Sequence, residues 1–336
     1  MRLLGCFTIL LVFSNAIYAE ITAANWMSRI PDHRIFNQLI IPGTHDSGTY
    51  AITSSAPYAL SKDDPLPIWV EEIGNWLPSG MLGGVIAGWA KTQPYTILEQ
   101  LNAGARYLDF RIDLFPGDHQ FYLSHAMLGV AFESALQQVQ TFVSTHPTEI
   151  VIVDMNHIFN VSDTGTQQRL ETLITQYLGK YAIPNTYHPT DTIGTLREHG
   201  QVIIILSNTL PNTPAPIFWQ ENNSIDSPWP NASSVDELHN KLNDEMIIRK
   251  TAPHDKFFVL QMVQTETSSQ VFDGIFYSSS PSTIERFEAP LNAVLNDWIL
   301  QYMGQYGGGA VNIVLQDWFT TPSNILDIAM QYDYLT

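Results

Sequence analysis

Short apolar runs of the kind found in β-strands alternate with helical patterns along most of this 336-residue chain. Apolar runs predict strands at residues 38–42, 106–112, 120–123, 149–155, 201–206, 257–263 and 311–315. Helical spacing predicts helices at residues 96–102, 132–144, 166–178 and 283–302. About seven or eight strands separated mostly by helices favour an α/β fold, a single (βα)8 TIM-type barrel, regular or irregular. A doubly wound sheet is the alternative, because it also carries its sites at strand ends.

The N-terminus has the pattern of a secretory signal peptide. One basic residue, Arg2, precedes an apolar stretch from Leu3 to Phe13, and small and polar residues follow up to Ala19. A membrane anchor is the alternative, but spanning a bilayer takes about 20 apolar residues and this stretch is shorter. We therefore expect cleavage after Ala19, a barrel domain over residues 20–336 and a secreted, extracellular or periplasmic protein. Cys6 is the one cysteine, so the mature chain would have no disulfide and no thiol nucleophile.

The charge balance excludes some partners. Lys and Arg together number 15 and Asp and Glu 33, which gives a formal net charge of −18 at pH 7. So acidic a surface argues against binding to nucleic acid and against electrostatic adhesion to anionic membranes. We expect no nucleic-acid partner and a protein that acts as a monomer.

Residues able to move protons or bind a phosphate stand at the carboxyl ends of the predicted strands, where parallel barrels place their active sites. They are His45, Asp46, Arg111, Asp113, His125, Asn156, His157 and Asp317. Two imidazoles can take a proton from an attacking oxygen and give one to a leaving oxygen, while a cation balances the charge that develops. This set therefore suits in-line phosphoryl transfer.

Three segments carry a resemblance to a known family. Residues 41–48 (Ile-Pro-Gly-Thr-His-Asp-Ser-Gly), 104–112 (Gly-Ala-Arg-Tyr-Leu-Asp-Phe-Arg-Ile) and 122–125 (Tyr-Leu-Ser-His), in this order, resemble the X region of phosphatidylinositol-specific phospholipases C. The likeness is most specific over residues 89–157, and is closer to bacterial and X-domain-only members than to the calcium-dependent animal enzymes. It implies release of diacylglycerol and a cyclic inositol phosphate from a membrane inositol lipid.

The resemblance also assigns roles to individual residues. It makes His45 the general base on the inositol 2-hydroxyl and His125 the general acid on the leaving diacylglycerol oxygen. Asp46 would assist His125, and Asp317 would orient His45, raise its pKa and fix its tautomer. Asn156 and His157, where some bacterial enzymes have lysine, would contact the headgroup.

The strand at residues 106–112 bears on metal dependence. Alternation places Tyr107, Asp109 and Arg111 on one face, where Asp109 and Arg111 could form a structural ion pair or serve the substrate. In calcium-dependent relatives both positions are acidic and bind the metal, whereas bacterial-type enzymes have arginine at the second. Met155 stands where the animal enzymes have a further ligand, and methionine binds calcium poorly. We therefore expect no metal cofactor, unless Arg111 points away and lets the nearby aspartates gather an ion.

Two other functions compete with this interpretation. A metal-dependent glycerophosphodiester or sphingomyelin phosphodiesterase on a similar barrel would need a Glu-x-Asp pair, which residues 109–111 do not provide. A non-catalytic lipid- or headgroup-binding module would not need both histidines and the arginine.

Residues 51–93 form a long insertion next to the predicted site and contain Trp69, Trp76 and Trp89. They predict either an interfacial membrane contact or a lid that buries its own apolar residues.

Overall fold

The computed structural model describes residues 20–59, 70, 72, 77, 79–210, 216–252, 254–320 and 324–335. The predicted signal peptide and two of the insertion's tryptophans, Trp69 and Trp76, lie outside these residues. No helix among the described residues has the length and apolar character needed to cross a bilayer.

The described residues form one curled sheet of ten strands. The strands are β1 Ile41–Thr44, β2 Tyr107–Leu114, β3 Phe121–His125, β4 Met127–Ala131, β5 Val151–Phe159, β6 Ile203–Leu206, β7 Phe218–Trp219, β8 Ile225–Asp226, β9 Phe257–Met262 and β10 Ile313–Gln316. Hydrogen-bonded neighbours follow the order β7-β6-β5-β2-β1-β10-β9-β8, and every pairing along this path is parallel.

This order confirms the predicted α/β barrel and shows where it is irregular. The strands follow one another around the barrel in chain order, apart from the β3–β4 hairpin. β7 and β8 are two residues each and occupy the two ends of the hydrogen-bonded path, so the sheet of described residues stays open between them. The predicted strand at residues 120–123 belongs to a hairpin, because β3 runs antiparallel to both β2 and β4.

Ten helices lie among the described residues. They are α1 Ser79–Ala90, α2 Ile97–Asn102, α3 Phe132–Thr145, α4 Thr164–Leu178, α5 Ile193–Arg197, α6 Glu221–Ser224, α7 Val235–Thr251, α8 Ser268–Phe276, α9 Ile284–Tyr306 and α10 Asn324–Leu335. Two of them, α6 and α8, begin at the cleft of the candidate site. β6 and β10 are buried along their whole length, as strands of a parallel sheet are when helices cover them.

The first strand begins later than predicted. Residues 36–38 form a 3-10 turn, so β1 runs from Ile41 to Thr44 instead of from residue 38. His45 therefore comes directly after the last residue of the strand, at the carboxyl end of the barrel.

Candidate functional site

His45 and Asp317 meet because β1 and β10 are neighbours. Thr44 pairs with Gln316 in the parallel register, so the residue that follows each strand lies at the same edge. His45 Nδ1 and Asp317 Oδ1 are 2.7 Å apart, and both side chains are buried. A carboxylate at this distance keeps the Nδ1 proton in place and directs Nε2 away from Asp317.

Asp46 occupies the centre of the site. Its backbone has a φ of 43°, a left-handed conformation that is uncommon outside glycine, and its N–H donates to Asp109 Oδ2 at 3.0 Å. The carboxylate holds Arg111, with Oδ1 at 2.7 Å from Nε, while Oδ2 lies 3.3 Å from His45 Nε2. Arg111 Nη2 is in turn 3.1 Å from His45 Nε2. The left-handed backbone at Asp46 is thus accompanied by a carboxylate that lies between a guanidinium and an imidazole.

These charges decide how His45 titrates. Burial alone would lower its pKa, but Asp46 and Asp317 stabilise the imidazolium and together raise the pKa of His45 to about 9. Burial would raise the pKa of Asp46, and the charges of Arg111 and His45 outweigh it, so that pKa is lowered. Asp46 is therefore an anion at neutral pH.

His125 ends β3 and faces His45 across the site, with ring centroids 6.2 Å apart. The closest hydrogen-bond partner of its Nδ1 is the carbonyl oxygen of Ala90, at 3.0 Å. Asp46 Oδ2, expected from the sequence to assist His125, lies at 3.7 Å from the same nitrogen. Asp46 thus contributes charge to His125, while the insertion supplies the short contact that orients the ring.

The end of the insertion also holds His45. Gln93 Nε2 donates to the carbonyls of His45 and Gln316, each at 3.0 Å, and Thr92 Oγ1 donates to the His45 carbonyl at 3.1 Å. These three positions, Ala90, Thr92 and Gln93, are absent from the sequence-based site. The sequence could have indicated them through their position within residues 89–157, where the family resemblance is most specific.

Asp109 forms hydrogen bonds with both Asn156 and the backbone of Asp46. Asn156 Nδ2 donates to Asp109 Oδ1 at 2.8 Å, and the other Asp109 oxygen accepts from the Asp46 backbone. Both residues line the cleft, as does His157, whose ring stacks on Phe159. The structure thus brings the predicted substrate-binding residues to the same cavity as the two histidines.

Among the described residues, one cluster of donors could hold a metal ion. Ligand atoms of His45, Asp46 and Asp109 lie within 4.8 Å of one another. Calcium prefers six to eight oxygen ligands, and the Arg111 guanidinium already contacts two members of this cluster. Met155 is fully buried in the core, and Asp113 accepts a hydrogen bond from Asn160. An ion in this cluster would have to compete with the guanidinium.

The cleft has a volume of about 810 Å³ and opens at the carboxyl ends of the strands. Trp229 lies at its edge, with its ring centroid 5.8 Å from that of His45. Within the insertion, Ile86 and Trp89 are buried against α9, and Trp89 contacts Phe287. These two side chains are therefore not available for the membrane contact that the sequence allowed.

Similar proteins are known. No family model matches the chain. It is 28% identical over 305 residues to PI-PLC X domain-containing protein 2 of Mus musculus, covering 89% of this chain and 84% of that protein. It is 23% identical over 302 residues to the variant-surface-glycoprotein phospholipase C of Trypanosoma cruzi, covering 86% and 78%. The phosphatidylinositol-specific phospholipase C from Listeria monocytogenes has the same fold, with a TM-score of 0.63 at 20% identity over 93% of this chain and 98% of that chain.

Proposed function

Because the chain belongs to the X-domain family of phosphatidylinositol-specific phospholipases C, we propose that it cleaves the phosphodiester of phosphatidylinositol. The observation that carries the proposal is the placement of His45 and His125 on either side of Asp46 and Arg111, in a cleft large enough for an inositol phosphate. An acid and a base separated in this way can act on the two oxygens of an in-line displacement.

The proposed reaction is an intramolecular transfer. His45 Nε2 removes the proton of the inositol 2-hydroxyl, and that oxygen attacks phosphorus to form a five-membered cyclic phosphodiester. The bond from phosphorus to the diacylglycerol oxygen breaks, and His125 protonates that oxygen as it leaves. Each proton transfer contributes roughly 10²–10⁴-fold to the rate.

Arg111 is the proposed partner of the phosphate. Its guanidinium is held by Asp46 at 2.7 Å and reaches His45 at 3.1 Å, so it lies beside the base. A planar guanidinium can donate two parallel hydrogen bonds to the non-bridging oxygens and needs no metal to balance their charge. We propose a metal-independent enzyme on this ground.

The substrate also requires contact with a bilayer. Thr265, Glu266, Thr267 and Ser268 line the cleft, and α8, which begins at Ser268, exposes Phe272 and Phe276. The two rings lie together, with centroids 4.5 Å apart, and Tyr277 next to them is also exposed. We propose that this aromatic edge of α8 enters the lipid interface. Contact through Trp69 and Trp76 stays a prediction, because both lie outside the described residues.

The experiment that tests the function uses vesicles containing phosphatidylinositol, with EDTA present throughout. We expect cyclic inositol phosphate in the water phase, identified by ³¹P NMR, and diacylglycerol in the lipid phase. Arg111→Lys should reduce turnover at least tenfold, because a point charge cannot reproduce the planar fork. Turnover that appears only when calcium is added, or cleavage of choline lipids alone with a metal, would favour the metal-dependent alternative.

A further inference from the structure

Residues with a left-handed backbone follow His45, His125 and Asp317 directly in the chain. These residues are Asp46, Ala126 and Trp318, with φ of 43°, 54° and 55°. This conformation is uncommon outside glycine, and a residue as bulky as tryptophan keeps it only where surrounding contacts hold it in place. The contacts of these three residues therefore indicate which part of the chain fixes the turns beside the site.

The insertion contacts all three left-handed residues. The Ala59 N–H donates to the carbonyl of Ala126 at 3.0 Å. The Trp318 N–H donates to the carbonyl of Thr92 at 2.7 Å, and Thr92 Oγ1 lies 3.3 Å from the carbonyl oxygen of Asp46. The two ends of the insertion thus reach the turns that follow β1, β3 and β10.

Gln93 connects the ends of β1 and β10 directly. Its side chain is fully buried, and its Nε2 donates to the carbonyls of His45 and Gln316, each at 3.0 Å. Its Oε1 accepts from the N–H of Phe319 at 3.1 Å. The amide therefore uses both of its donors and its acceptor on the backbone around His45 and Asp317, whose side chains lie 2.7 Å apart.

Thr49 supports this segment from the other side. Thr49 Oγ1 accepts from the backbone N–H groups of Thr92 and Gln93, each at 3.1 Å, and lies 2.7 Å from Thr92 Oγ1. Both threonines are buried. Trp89, at the end of α1, is buried against Phe287 of α9. Packing and hydrogen bonds thus fix the position of Gln93, as is required of a residue that orients others.

We propose that Gln93 is a positioning residue, which sets the separation of His45 Nδ1 and the Asp317 carboxylate by joining the ends of their two strands. Thr92 supports it by holding the carbonyl of His45 and the N–H of Trp318. This inference rests on the proposed function, because the separation matters for turnover only if His45 acts as the base.

The test uses Gln93→Met, which keeps the length of the side chain and removes its hydrogen bonds. Proton NMR detects a short hydrogen bond from an imidazole N–H to a carboxylate as a low-field resonance. Its loss in Asp317→Asn assigns this resonance to the pair with His45. In Gln93→Met the resonance should move upfield or disappear. On phosphatidylinositol, kcat should fall roughly tenfold or more with KM changed less than about twofold, because the base is misplaced while the rest of the cleft is intact.

Gln100→Met is the matched control. Gln100 is also fully buried, and its Nε2 donates to two carbonyls, those of Ser47 and Tyr95. Neither carbonyl belongs to His45 or to β10, so this variant loses buried hydrogen bonds without releasing the two strand ends. Its low-field resonance and its kcat should equal those of the wild-type protein, even though its melting temperature falls.

A thermal melt checks that each variant is folded. If Gln93→Met does not fold, Thr92→Val decides, because it removes the hydroxyl that lies 3.1 Å from the His45 carbonyl, whereas Thr92→Ser retains it. The resonance should change in Thr92→Val and persist in Thr92→Ser.

An unchanged resonance in folded Gln93→Met, or the same change in Gln100→Met, would overturn the proposal. Equal resonances in the two Thr92 variants would do so if Gln93→Met is unfolded, as would absence of the resonance from the wild-type protein. Failure of the proposed function has a different signature, namely no cleavage of phosphatidylinositol by the wild-type protein while the resonance still responds to Gln93→Met and not to Gln100→Met.

Discussion

At the scale of single residues, the protonation of His45 links charge to catalysis. A base must be unprotonated to accept a proton, yet Asp46 and Asp317 raise the pKa of His45 to about 9. In the free enzyme kcat/KM should therefore rise with pH up to about 9. Because the folded pKa lies above the ordinary value of 6.5, the same pair stabilises the fold below pH 6.5, and this contribution is lost as pH rises from 6.5 to 9.

Asp317→Asn should lower the pKa of His45, because it removes a charge and a hydrogen bond that both favour the imidazolium. The acidic limb of the kcat/KM profile should move to lower pH, even though the maximal rate falls. Histidine NMR titration measures the pKa directly, with the exposed Asp118→Asn as a control for general charge effects. An unchanged pKa of His45 in Asp317→Asn would show that Asp317 does not raise the pKa of His45.

The sequence predicted the side chains that meet at the site but not the backbone that holds them. His45, Asp46, His125 and Asp317 follow or end apolar strands, and that placement is visible in the sequence, whereas Arg111 lies within β2, which continues to Leu114. The Ala90 carbonyl at His125 is a backbone atom on an inserted helix, so no residue type identifies it. Their catalytic roles stay predictions that rest on the resemblance and the geometry.

At the scale of elements, α8 and α7 allow a matched test of membrane contact. Replacing Phe272 and Phe276 on α8 by alanine should reduce activity on vesicles at least tenfold, since two partly exposed rings lose their burial in lipid. Activity on a soluble short-chain substrate should be unchanged. The control is alanine at Ile247 and Ile248, exposed on the last turns of α7 before β9 begins, at the opposite end of the barrel. Equal losses on vesicles for both double variants would contradict a specific role for α8.

Most strands of four or more residues were predictable, and the two-residue strands were not. β5, β6, β9 and β10 contain buried apolar runs, whereas β7 and β8 are two residues long and show no periodicity. The helix α7 is missing from the expectations although Leu238, Leu242 and Met246 recur every four residues. The hairpin of β3 and β4 depends on pairing between segments, which an apolar run alone does not reveal.

At the scale of the whole molecule, one end of the barrel contains the candidate site and the other end contains contacts that stabilise the fold. Opposite the catalytic end, Arg106 and Glu149 precede β2 and β5 and form a fully buried ion pair of 2.6 Å. Arg106 also donates to the carbonyls of Ala24 and Leu101, and Glu149 accepts from the Met27 N–H. This network joins the N-terminal segment to the barrel.

Glu149→Gln should therefore destabilise the protein without changing its chemistry. It leaves the Arg106 charge buried without its carboxylate, which costs about 3–5 kcal/mol. Chemical denaturation measures the loss, and kcat assayed well below the unfolding temperature should equal that of the wild-type protein. A large fall in kcat in a folded variant would mean that the two ends are coupled.

The central claim is that His45 acts as the base and His125 as the acid. A change of leaving group tests this claim most directly, because it affects the need for the acid and not for the base. With phosphatidylinositol, His45→Ala and His125→Ala should each lose roughly 10²–10⁴-fold in turnover. A substrate whose leaving group is p-nitrophenol needs little protonation, so His125→Ala should recover most of its loss while His45→Ala should not. Recovery in neither variant, or equal recovery in both, would contradict the assignment of His45 as base and His125 as acid.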